Sequence, residues 1–289
     1  MGSPAHQVEG MPVVLTIAGS DSGGGAGIQA DLKVIFAHGC HGASAITALT
    51  AQNTVGVTGI HAVPADFVVS QIDTVLSDLH VDAAKTGMLA DAAIVSAVAG
   101  AVRAHNIHDL VVDPVAVSKH GDALLADDAL DAYRAELLPL ARVLTPNLHE
   151  AGVLLGRTIT TLEEAEDAAR DLHALGPHAV LVKGGHLKDQ DDAIDVLFDG
   201  TRIVRLTGPR FDTEDTHGTG CALSAAIAAR LALGNDIDAA VTGAKEFVAG
   251  AIEHGLRIGK GYGPVNPGWL LSLTADASLR DVPEQEQPG

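Results

Sequence analysis

The chain has 289 residues, 47% of them apolar, which is enough to bury one substantial core. Its 37 acidic residues outnumber 18 basic ones and give a formal charge of −19, so the surface repels nucleic-acid backbones and anionic membranes. We therefore expect neither nucleic acid nor a membrane as a partner. An anionic small molecule would need a site that is locally cationic or loaded with a metal ion.

Cysteine usage and the two ends of the chain bear on its compartment. Cys40 and Cys221 lie far apart and form no CxxC pair, so neither a disulfide framework nor a structural zinc site is expected. No apolar run reaches the roughly 18 residues that cross a bilayer, and the first ten residues lack the features of a signal peptide. We expect a cytoplasmic protein with a flexible leader over 1–10, a single domain over 11–275 and a flexible tail over 276–289.

Short β-branched runs alternate with stretches of helical spacing, a pattern typical of βαβ units with buried parallel strands. The predicted strands begin at Val13, Ala43, Val81, Leu110, Arg142 and Ala179. Apolar residues from Val68 to Leu79 recur at helical spacing and predict one apolar helix face. Thr161 followed by Glu164 matches a capping box, which predicts a helix that runs to about Leu175.

The last third of the chain departs from this alternation. Residues 193–206 form two short apolar runs around Asp199 and Gly200, a favoured hairpin turn, and predict an antiparallel edge. Two alanine-rich helical stretches follow, at about 218–232 and 237–254, with no strand between them. The sequence thus predicts one doubly wound α/β domain with a mostly parallel central sheet and an antiparallel edge hairpin.

A glycine-rich segment, from Gly19 to Gly27, follows the first predicted strand and leads into a helix. Glycines at this density let the backbone approach a ligand closely, and a helix N-terminus favours an anion or a polar group. The segment lacks the Lys-Ser/Thr ending of a Walker A loop, and its spacing differs from the dinucleotide-binding pattern. A plain strand-to-helix turn is the alternative. Asp31, one turn into the helix, is a candidate to point into the cleft.

The second glycine-rich segment runs from Asp215 through Gly218, Thr219 and Gly220 to Cys221, and a helix of small residues follows it. Amides at such a helix start can converge on developing negative charge, as phosphoryl transfer requires. We therefore predict an anion hole here. The positive helix end should favour the thiolate of Cys221, which makes it a candidate base or proton relay. A small buried cysteine without a chemical role is the alternative.

Two acidic residues follow predicted strands. Asp113 closes one strand and Glu150 comes shortly after another. Because the carboxyl ends of parallel strands line the ligand crevice, these carboxylates could share one magnesium ion. Asn147 capping a helix with Glu150 at its third position would explain the same pattern without a metal.

Three further polar residues are candidates for ligand contacts. The carboxamide of Gln52 could donate to and accept from the edge of an aminopyrimidine, although an exposed loop glutamine would fit equally. Lys183 ends a strand and either contacts phosphate or merely precedes a turn. Lys245 lies on a late helix and could face solvent, where most lysines lie.

Taken together, these segments resemble the hydroxymethylpyrimidine/phosphomethylpyrimidine kinases of thiamine biosynthesis, within the ribokinase-like superfamily. The resemblance covers nearly the whole core. It is carried by AGSDSGGGAGIQADLK from Ala18, TALTAQNT from Thr47, KTGML from Lys85, VDPV from Val112, LTPNLHEA from Leu144, VKGGH from Val182, DTHGTGCALSAA from Asp215 and GKGYGPVN from Gly259. Pro267 stands after Asn266 where the family pattern would have histidine, a local departure.

The resemblance implies a ribokinase-like three-layer αβα domain, ATP and Mg²⁺ as cofactors, and a homodimer. It implies that the pyrimidine contacts Gly19, Asp31, Gln52, Met88 and Val115. It implies that the nucleotide contacts Asn147, Lys183, Thr213, Thr219 and Lys245, and that the metal contacts Asp113 and Glu150. The 218–221 turn would hold the transferring phosphoryl group.

The resemblance also implies two successive transfers, in which ATP converts hydroxymethylpyrimidine to its monophosphate and a second ATP converts that product to the diphosphate. Many relatives in the superfamily carry aspartate where Cys221 stands, so the thiol argues against a sugar kinase. Whether Cys221 acts as the base or only positions the substrate stays open.

Two alternatives remain. Pyridoxal or pyridoxine kinases share the fold and phosphorylate a similar hydroxymethyl group, and Gln52 and Met88 favour the pyrimidine over pyridoxal. A non-catalytic pyrimidine-binding sensor would have lost the anion hole or the metal carboxylates, which this sequence keeps.

Overall fold

The fold is given by a computed structural model, which describes residues 10–115, 129–185, 187 and 192–271. The predicted leader, apart from residue 10, and the predicted tail over 276–289 lie outside these residues. None of the described helices is long and apolar enough to cross a membrane.

Strands and helices alternate along most of the described chain. The strands are β1 (Val13–Asp21), β2 (His41–Gln52), β3 (Val57–Ala62), β4 (Ala83–Thr86), β5 (Leu110–Val112), β6 (Val143–Leu144), β7 (Val180–Val182), β8 (Ala193–Phe198) and β9 (Ile203–Gly208). The α-helices are α1 (Gly27–Ala37), α2 (Ala65–Leu76), α3 (Ala92–Ala104), α4 (Ala129–Ala132), α5 (Leu148–Leu155), α6 (Leu162–His173), α7 (Thr219–Ala232) and α8 (Ile237–Glu253). A π-helical turn and a 3-10 turn over Tyr133–Leu140 follow α4.

These strands form one sheet in the order β3-β2-β1-β4-β5-β6-β7-β8-β9. The neighbours from β2 to β7 pair in parallel, whereas β3, β8 and β9 pair antiparallel. The predicted edge hairpin is therefore confirmed. Strand β3 was not predicted, because its residues after Val57 are all exposed and show no apolar alternation.

Two apolar cores lie on opposite faces of this sheet. Helices α2, α3, α5 and α6 pack on one face, and α1, α7 and α8 pack on the other, which makes three layers. On α2 the predicted apolar face is carried by Val68 and Ile72, both fully buried. The capping box of Thr161 and Glu164 is present, and α6 ends at His173, two residues before the predicted end.

Helix α7 is the most deeply enclosed helix of the second core. Every residue from Ala222 to Ala229 is buried, and the helix contacts both α1 and α8. Small side chains allow this close approach on all sides. The N-terminus of α7 is thereby fixed at the edge where the parallel strands end.

Candidate active site

A cavity of about 820 Å³ opens at the carboxyl ends of the parallel strands. Its walls come from the segments after β1, β2, β4, β5, β6 and β7 and from the start of α7, which is where open α/β sheets bind ligands. The predicted site residues that line it are Gly19, Gln52, Met88, Asp113, Val115, Asn147, Glu150, Lys183, Thr213, Gly218, Thr219, Gly220, Cys221 and Lys245.

Asp31 differs from its prediction, because it lies behind the cavity wall. Its carboxylate is fully buried, accepts from Lys85 Nζ at 2.9 and 2.8 Å, and accepts from Thr16 Oγ1 at 2.6 Å. Lys85 itself lines the cavity. Burial alone would lower the pKa of Lys85, but the negative charge of Asp31, together with that of Asp113, opposes burial, and the pKa is raised. A ligand therefore faces the ammonium of Lys85 and not the carboxylate.

Cys221 lies in the first turn of α7, beside Lys85. Burial raises the pKa of its thiol to about 11, and Lys85 only partly opposes this rise. The prediction that the helix end favours the thiolate is therefore contradicted, because burial is the largest effect on the pKa of this thiol. At neutral pH the cavity holds a thiol.

The turn after β1 is organised by its own carboxylate. Asp21 accepts from the backbone amides of Gly23 at 2.8 Å, Gly25 at 3.1 Å and Ala26 at 2.8 Å, and lies 3.0 Å from His217 Nε2. Burial would raise the pKa of Asp21, but the hydrogen bonds with His217 and these amides outweigh burial and lower it. These three amides thus bind Asp21, and their hydrogens are not directed at a ligand.

The two glycine-rich segments pack directly against each other. Gly218 has a φ of +80°, and a Cβ there would lie 1.9 Å from the carbonyl oxygen of Gly25. Only glycine fits such a contact in this conformation. The turn after β1 therefore fixes the start of α7 from the side, which spacing within either segment does not reveal.

Lys183 lies between the two carboxylates that were predicted to hold metal. Its Nζ is 3.0 Å from Asp113 Oδ1 and 3.8 Å from Glu150 Oε2. Burial alone would lower the pKa of Lys183, but the negative charges of Asp113 and Glu150 outweigh burial and raise it. Burial also raises the pKa of Glu150 to about 7, with Lys183 lowering it in part and Asp113 raising it further. A Cβ on Gly220 would lie 3.2 Å from Lys183 Nζ, so this cluster adjoins the 218–221 turn.

The structure contains the capping box of Asn147 and Glu150 that the sequence offered as an alternative to a metal site. Asn147 Oδ1 accepts from the Glu150 amide at 2.9 Å, and Glu150 Oε2 accepts from the Asn147 amide at 2.7 Å. Within the described ranges no three His, Cys, Asp or Glu side chains converge as a metal cluster. Magnesium, however, is often held by one or two carboxylates together with water and substrate phosphates. Asp113 and Glu150 fit that kind of site beside a nucleotide.

Lys245 points into the cavity and not to solvent. Its Nζ is 2.6 Å from Asp195 Oδ2 and donates to the carbonyl of Ala193 at 3.0 Å. The other oxygen of Asp195 accepts from the amide of Gly184, in the loop after β7, at 2.9 Å. Asp195 therefore ties Lys245 to the loop that carries Lys183.

The opposite end of the cavity holds the residues predicted to contact a pyrimidine. A Cβ on Gly19 would lie 3.2 Å from the sulfur of Met88, and Thr47 Oγ1 fixes the backbone of Met88 through a 2.5 Å hydrogen bond. Thr50 Oγ1 donates to Gln52 Oε1 at 3.1 Å. At this end Met88 is therefore held in place by its hydrogen bond with Thr47 and lies directly against Gly19.

Four functional residues at this site were missed from the sequence: Asp21, Lys85, Asp195 and His217. The sequence did contain a signal for Lys85, because a lysine within the buried strand AAKT requires a charged partner. No comparable signal pairs Asp21 with His217, which are 196 positions apart.

Comparisons with known proteins bear on this geometry. A family model described as phosphomethylpyrimidine kinase matches residues 21–266. A hydroxymethylpyrimidine/phosphomethylpyrimidine kinase from Rhizobium meliloti is 53% identical over 258 residues, 88% of this chain and 96% of the relative. A thiamine biosynthesis bifunctional protein from Geobacter sulfurreducens is 49% identical over 253 residues, 88% of this chain and 51% of the relative.

The solved structures that are similar to this chain include both pyridoxal kinases and a phosphomethylpyrimidine kinase. A Staphylococcus aureus pyridoxal kinase in complex with AMP-PCP and pyridoxal is 37% identical, with a TM-score of 0.83 over 90% of this chain and 94% of that one. A phosphomethylpyrimidine kinase from Clostridium difficile is 39% identical, with a TM-score of 0.75 over 83% of this chain and 99% of that one.

The three-layer fold and the cavity at the strand ends define a ribokinase-like small-molecule kinase. The match over 21–266 and the identity to the Rhizobium enzyme then fix the branch. The chain belongs to the phosphomethylpyrimidine kinase family. The resemblance found in the sequence is thereby confirmed.

Proposed function

We propose that the protein transfers a phosphoryl group from ATP to the hydroxymethyl group of 4-amino-5-hydroxymethyl-2-methylpyrimidine, and then a second one to the monophosphate, in thiamine biosynthesis. The observation that carries the proposal is the position of the 218–221 turn beside the Lys183–Asp113 pair. The same cavity is lined by Gln52 and Met88 on one side of this turn and by Lys245 on the other. The family membership and the names of the relatives support the same activity.

The centre of the cavity would carry the phosphoryl transfer. Amides at the start of α7, from Gly218 to Cys221, would stabilise the charge that develops on the transferring group. Lys183 would add a positive charge next to Gly220. Magnesium held by Asp113 and Glu150 would neutralise phosphate charge when the nucleotide is bound.

The end lined by Gly19, Gln52, Met88 and Val115 would hold the pyrimidine, with Gln52 at the ring edge, Met88 and Val115 against its faces and Gly19 allowing close approach. Cys221 would adjoin the hydroxyl that is phosphorylated. Because burial raises the pKa of its thiol to about 11, a positioning role fits Cys221 better than that of a base. Lys85 supplies the cationic charge at this end.

The other end would hold the nucleotide, against Thr213, Thr219 and Lys245. The S. aureus structure with AMP-PCP supports a nucleotide as one of the two ligands of this fold. The structure offers this end a cation, Lys245, that Asp195 holds in place.

We also propose a cytoplasmic homodimer. Both described cysteines are free thiols, as a reducing compartment requires. Exposed apolar side chains lie at and near the open edge of the sheet, namely Leu49, Ile60 and Phe67, and pairing of two copies there would cover them.

The test is a coupled assay of ADP release with Mg-ATP and three substrates: hydroxymethylpyrimidine, its monophosphate and pyridoxal. We expect turnover on both pyrimidines, slower turnover on pyridoxal, and loss of most activity in Cys221→Ala. Cys40→Ala is the matched control, because Cys40 is buried away from the cavity and should keep near wild-type activity. Omitting magnesium should abolish turnover in every variant.

A pyridoxal kinase is the second candidate, because the S. aureus enzyme bound to pyridoxal shares this fold with a TM-score of 0.83. Turnover on pyridoxal alone would make it the correct function and would reject the roles given to Gln52 and Met88. Binding of the pyrimidine without any turnover would instead indicate a sensor.

A further inference from the structure

We infer that Asp21 and His217 form a buried positioning pair that sets the phosphoryl-binding turn against the pyrimidine end of the cavity. The inference rests on the proposed function but assigns residues that the reaction scheme above does not use. Neither side chain is needed to hold nucleotide, metal or phosphate in that scheme.

The pair is enclosed at the point where the two glycine-rich segments meet. His217 Nε2 lies 3.0 Å from Asp21 Oδ2, and the two side chains are only 8% and 4% exposed. Because the partner of this ring nitrogen is a carboxylate with a lowered pKa, Nε2 carries a hydrogen and donates it. The charge of Asp21 is thus satisfied jointly by His217 and by the amides of its own turn.

The ring of His217 also fills the space over the first segment. A Cβ on Gly25 would lie 2.5 Å from His217 Cδ2, so the imidazole rests directly on that backbone. The next residue, Gly218, contacts the carbonyl oxygen of Gly25 and begins the turn at α7. A shift of His217 therefore moves the first amide of the phosphoryl-binding turn.

The same ring reaches the pyrimidine end. Gln52 Nε2 lies 3.4 Å from His217 Nε2, and Ser22, next to Asp21, exchanges hydrogen bonds of 2.8 Å with the Gln52 backbone. Since Nε2 of His217 donates to Asp21, it does not accept from the Gln52 amide. The hydrogens of Gln52 are not used by this contact and can be donated to a ligand.

The main chain at His217 has its own supports. Its amide donates to the carbonyl of Gly263 at 2.9 Å, and its carbonyl accepts from the amide of Val265 at 3.0 Å. Loss of the imidazole should therefore change the orientation of the amides in the 218–221 turn more than it lowers the stability of the fold. A displacement of about 1 Å is enough to cost about 100-fold in rate when reacting groups must be aligned.

The experiment measures kcat, KM and thermal unfolding for Asp21→Asn, His217→Leu, His217→Gln and the double variant Asp21→Asn/His217→Leu. We expect His217→Leu to lower kcat by about 100-fold, with less than about threefold change in KM for ATP. Glutamine can place an N–H near the Nε2 position, so His217→Gln should recover at least about tenfold of that loss. Because Asp21 also accepts from the amides of its own turn, the double variant should be at least as impaired as His217→Leu, but the combined loss should be smaller than the product of the two single losses, since the residues are coupled.

The matched control is the exposed pair of His105 and Asp73, whose atoms are 2.7 Å apart outside the cavity. His105→Leu and Asp73→Asn should leave kcat within about twofold of wild type, because exposed pairs contribute little.

If the wild-type protein turns over its substrates and His217→Leu has the same kcat, the inference is overturned and the proposed function stays intact. A kcat loss that disappears when measurements are corrected for the folded fraction would also overturn it. A wild-type protein without kinase activity would overturn the proposed function, and with it the inference.

Discussion

The thiol of Cys221 has neighbours of both charges. Lys85 lowers its pKa, whereas Asp31 and Asp113 raise it, and burial, the largest effect, raises it to about 11. A helix N-terminus alone would have the opposite effect. The pKa of Cys221 is therefore determined first by its burial and then by the charged side chains beside it.

We predict slow alkylation of Cys221 by iodoacetamide at pH 7, with a rate that rises steadily as the pH approaches about 11. The reason is that only the thiolate reacts, and the folded protein holds the thiol. Mass spectrometry of the tryptic peptides gives the rate for each cysteine, with Cys221→Ala as the assignment control. A rate already maximal at pH 7 would show a thiolate and restore a base as the natural role.

Glu150 is a second site residue whose pKa is shifted by its surroundings. Its pKa is about 7 in the folded protein against an ordinary value of 4.5, mainly because of burial, with Lys183 opposing the rise. Between these two pH values the folded state binds more protons than the unfolded state. Stability contributed at this position therefore falls as the pH rises from 4.5 towards 7, and stays low above that.

Glu150→Gln should therefore stabilise the metal-free protein at pH 8 by roughly 2–3 kcal/mol and have much less effect at pH 5. Glutamine keeps the capping box with Asn147, so that the change removes charge and little else. Urea unfolding at both pH values measures the difference, and the same variant should lose most Mg-dependent turnover.

The matched control for that measurement is Glu164, in the equivalent position of the exposed capping box. Hydrogen bonds from Thr160 and Thr161 lower its pKa, so its contribution to stability is lost as the pH falls through that lowered value. Glu164→Gln should thus destabilise at pH 8. The same sign for both variants would contradict the assignment.

At the scale of elements, the site depends on how the turn after β1 meets the start of α7. Their contact is backbone against backbone, with Gly25 on one side and Gly218 on the other. Such a contact leaves no side chain that can adjust by changing its rotamer. The absence of a Cβ at Gly218 therefore permits this close separation, while the Asp21–His217 pair joins the same two elements through side chains.

Gly218→Ala should abolish activity, with a loss of kcat/KM of more than about 100-fold, because its Cβ would push α7 away from the turn. Gly234→Ala is the matched control. Gly234 follows the other end of α7 and has a φ of +84°, and a Cβ there would meet no atom of the described residues within 4 Å. It therefore shares the backbone strain and lacks the contact. Measuring kcat/KM and unfolding for both variants separates strain from position.

Equal losses of kcat/KM in the two alanine variants would mean that backbone strain, and not the approach of the two turns, determines activity. Retention of wild-type activity in Gly218→Ala would remove the contact from the mechanism.

At the scale of the whole molecule, a strongly acidic protein places three lysine side chains on the wall of one cavity. Three Lys–Asp pairs lie there, joining Lys85 to Asp31, Lys183 to Asp113 and Lys245 to Asp195. Each aspartate holds its lysine in place, and each lysine lines the cavity. Because each ammonium is matched by a carboxylate, the three pairs carry no net charge, and an anionic ligand would still need a metal ion and backbone amides at this site.

The predictable part of this architecture was the part encoded locally. Runs of β-branched residues located the parallel strands, and the Asp199-Gly200 turn located the edge hairpin. Most site residues were found because they stand at strand ends and glycine turns. Charges and pairings were not predictable, since the burial of Cys221 and the partners of Lys85 and His217 depend on residues that only the sheet order brings together.

The distance along the chain between Asp21 and His217 has a consequence for biosynthesis. The two residues are separated by 196 positions. At about 5–20 residues per second, a ribosome would need roughly 10–40 s to add the second after the first. During that interval the turn after β1 lacks the imidazole that completes it, whereas Asp31 already has Lys85, only 54 positions on. The phosphoryl-binding geometry can therefore form only after His217 has been synthesised, whereas Asp31 and Lys85 are both present once residue 85 has been added.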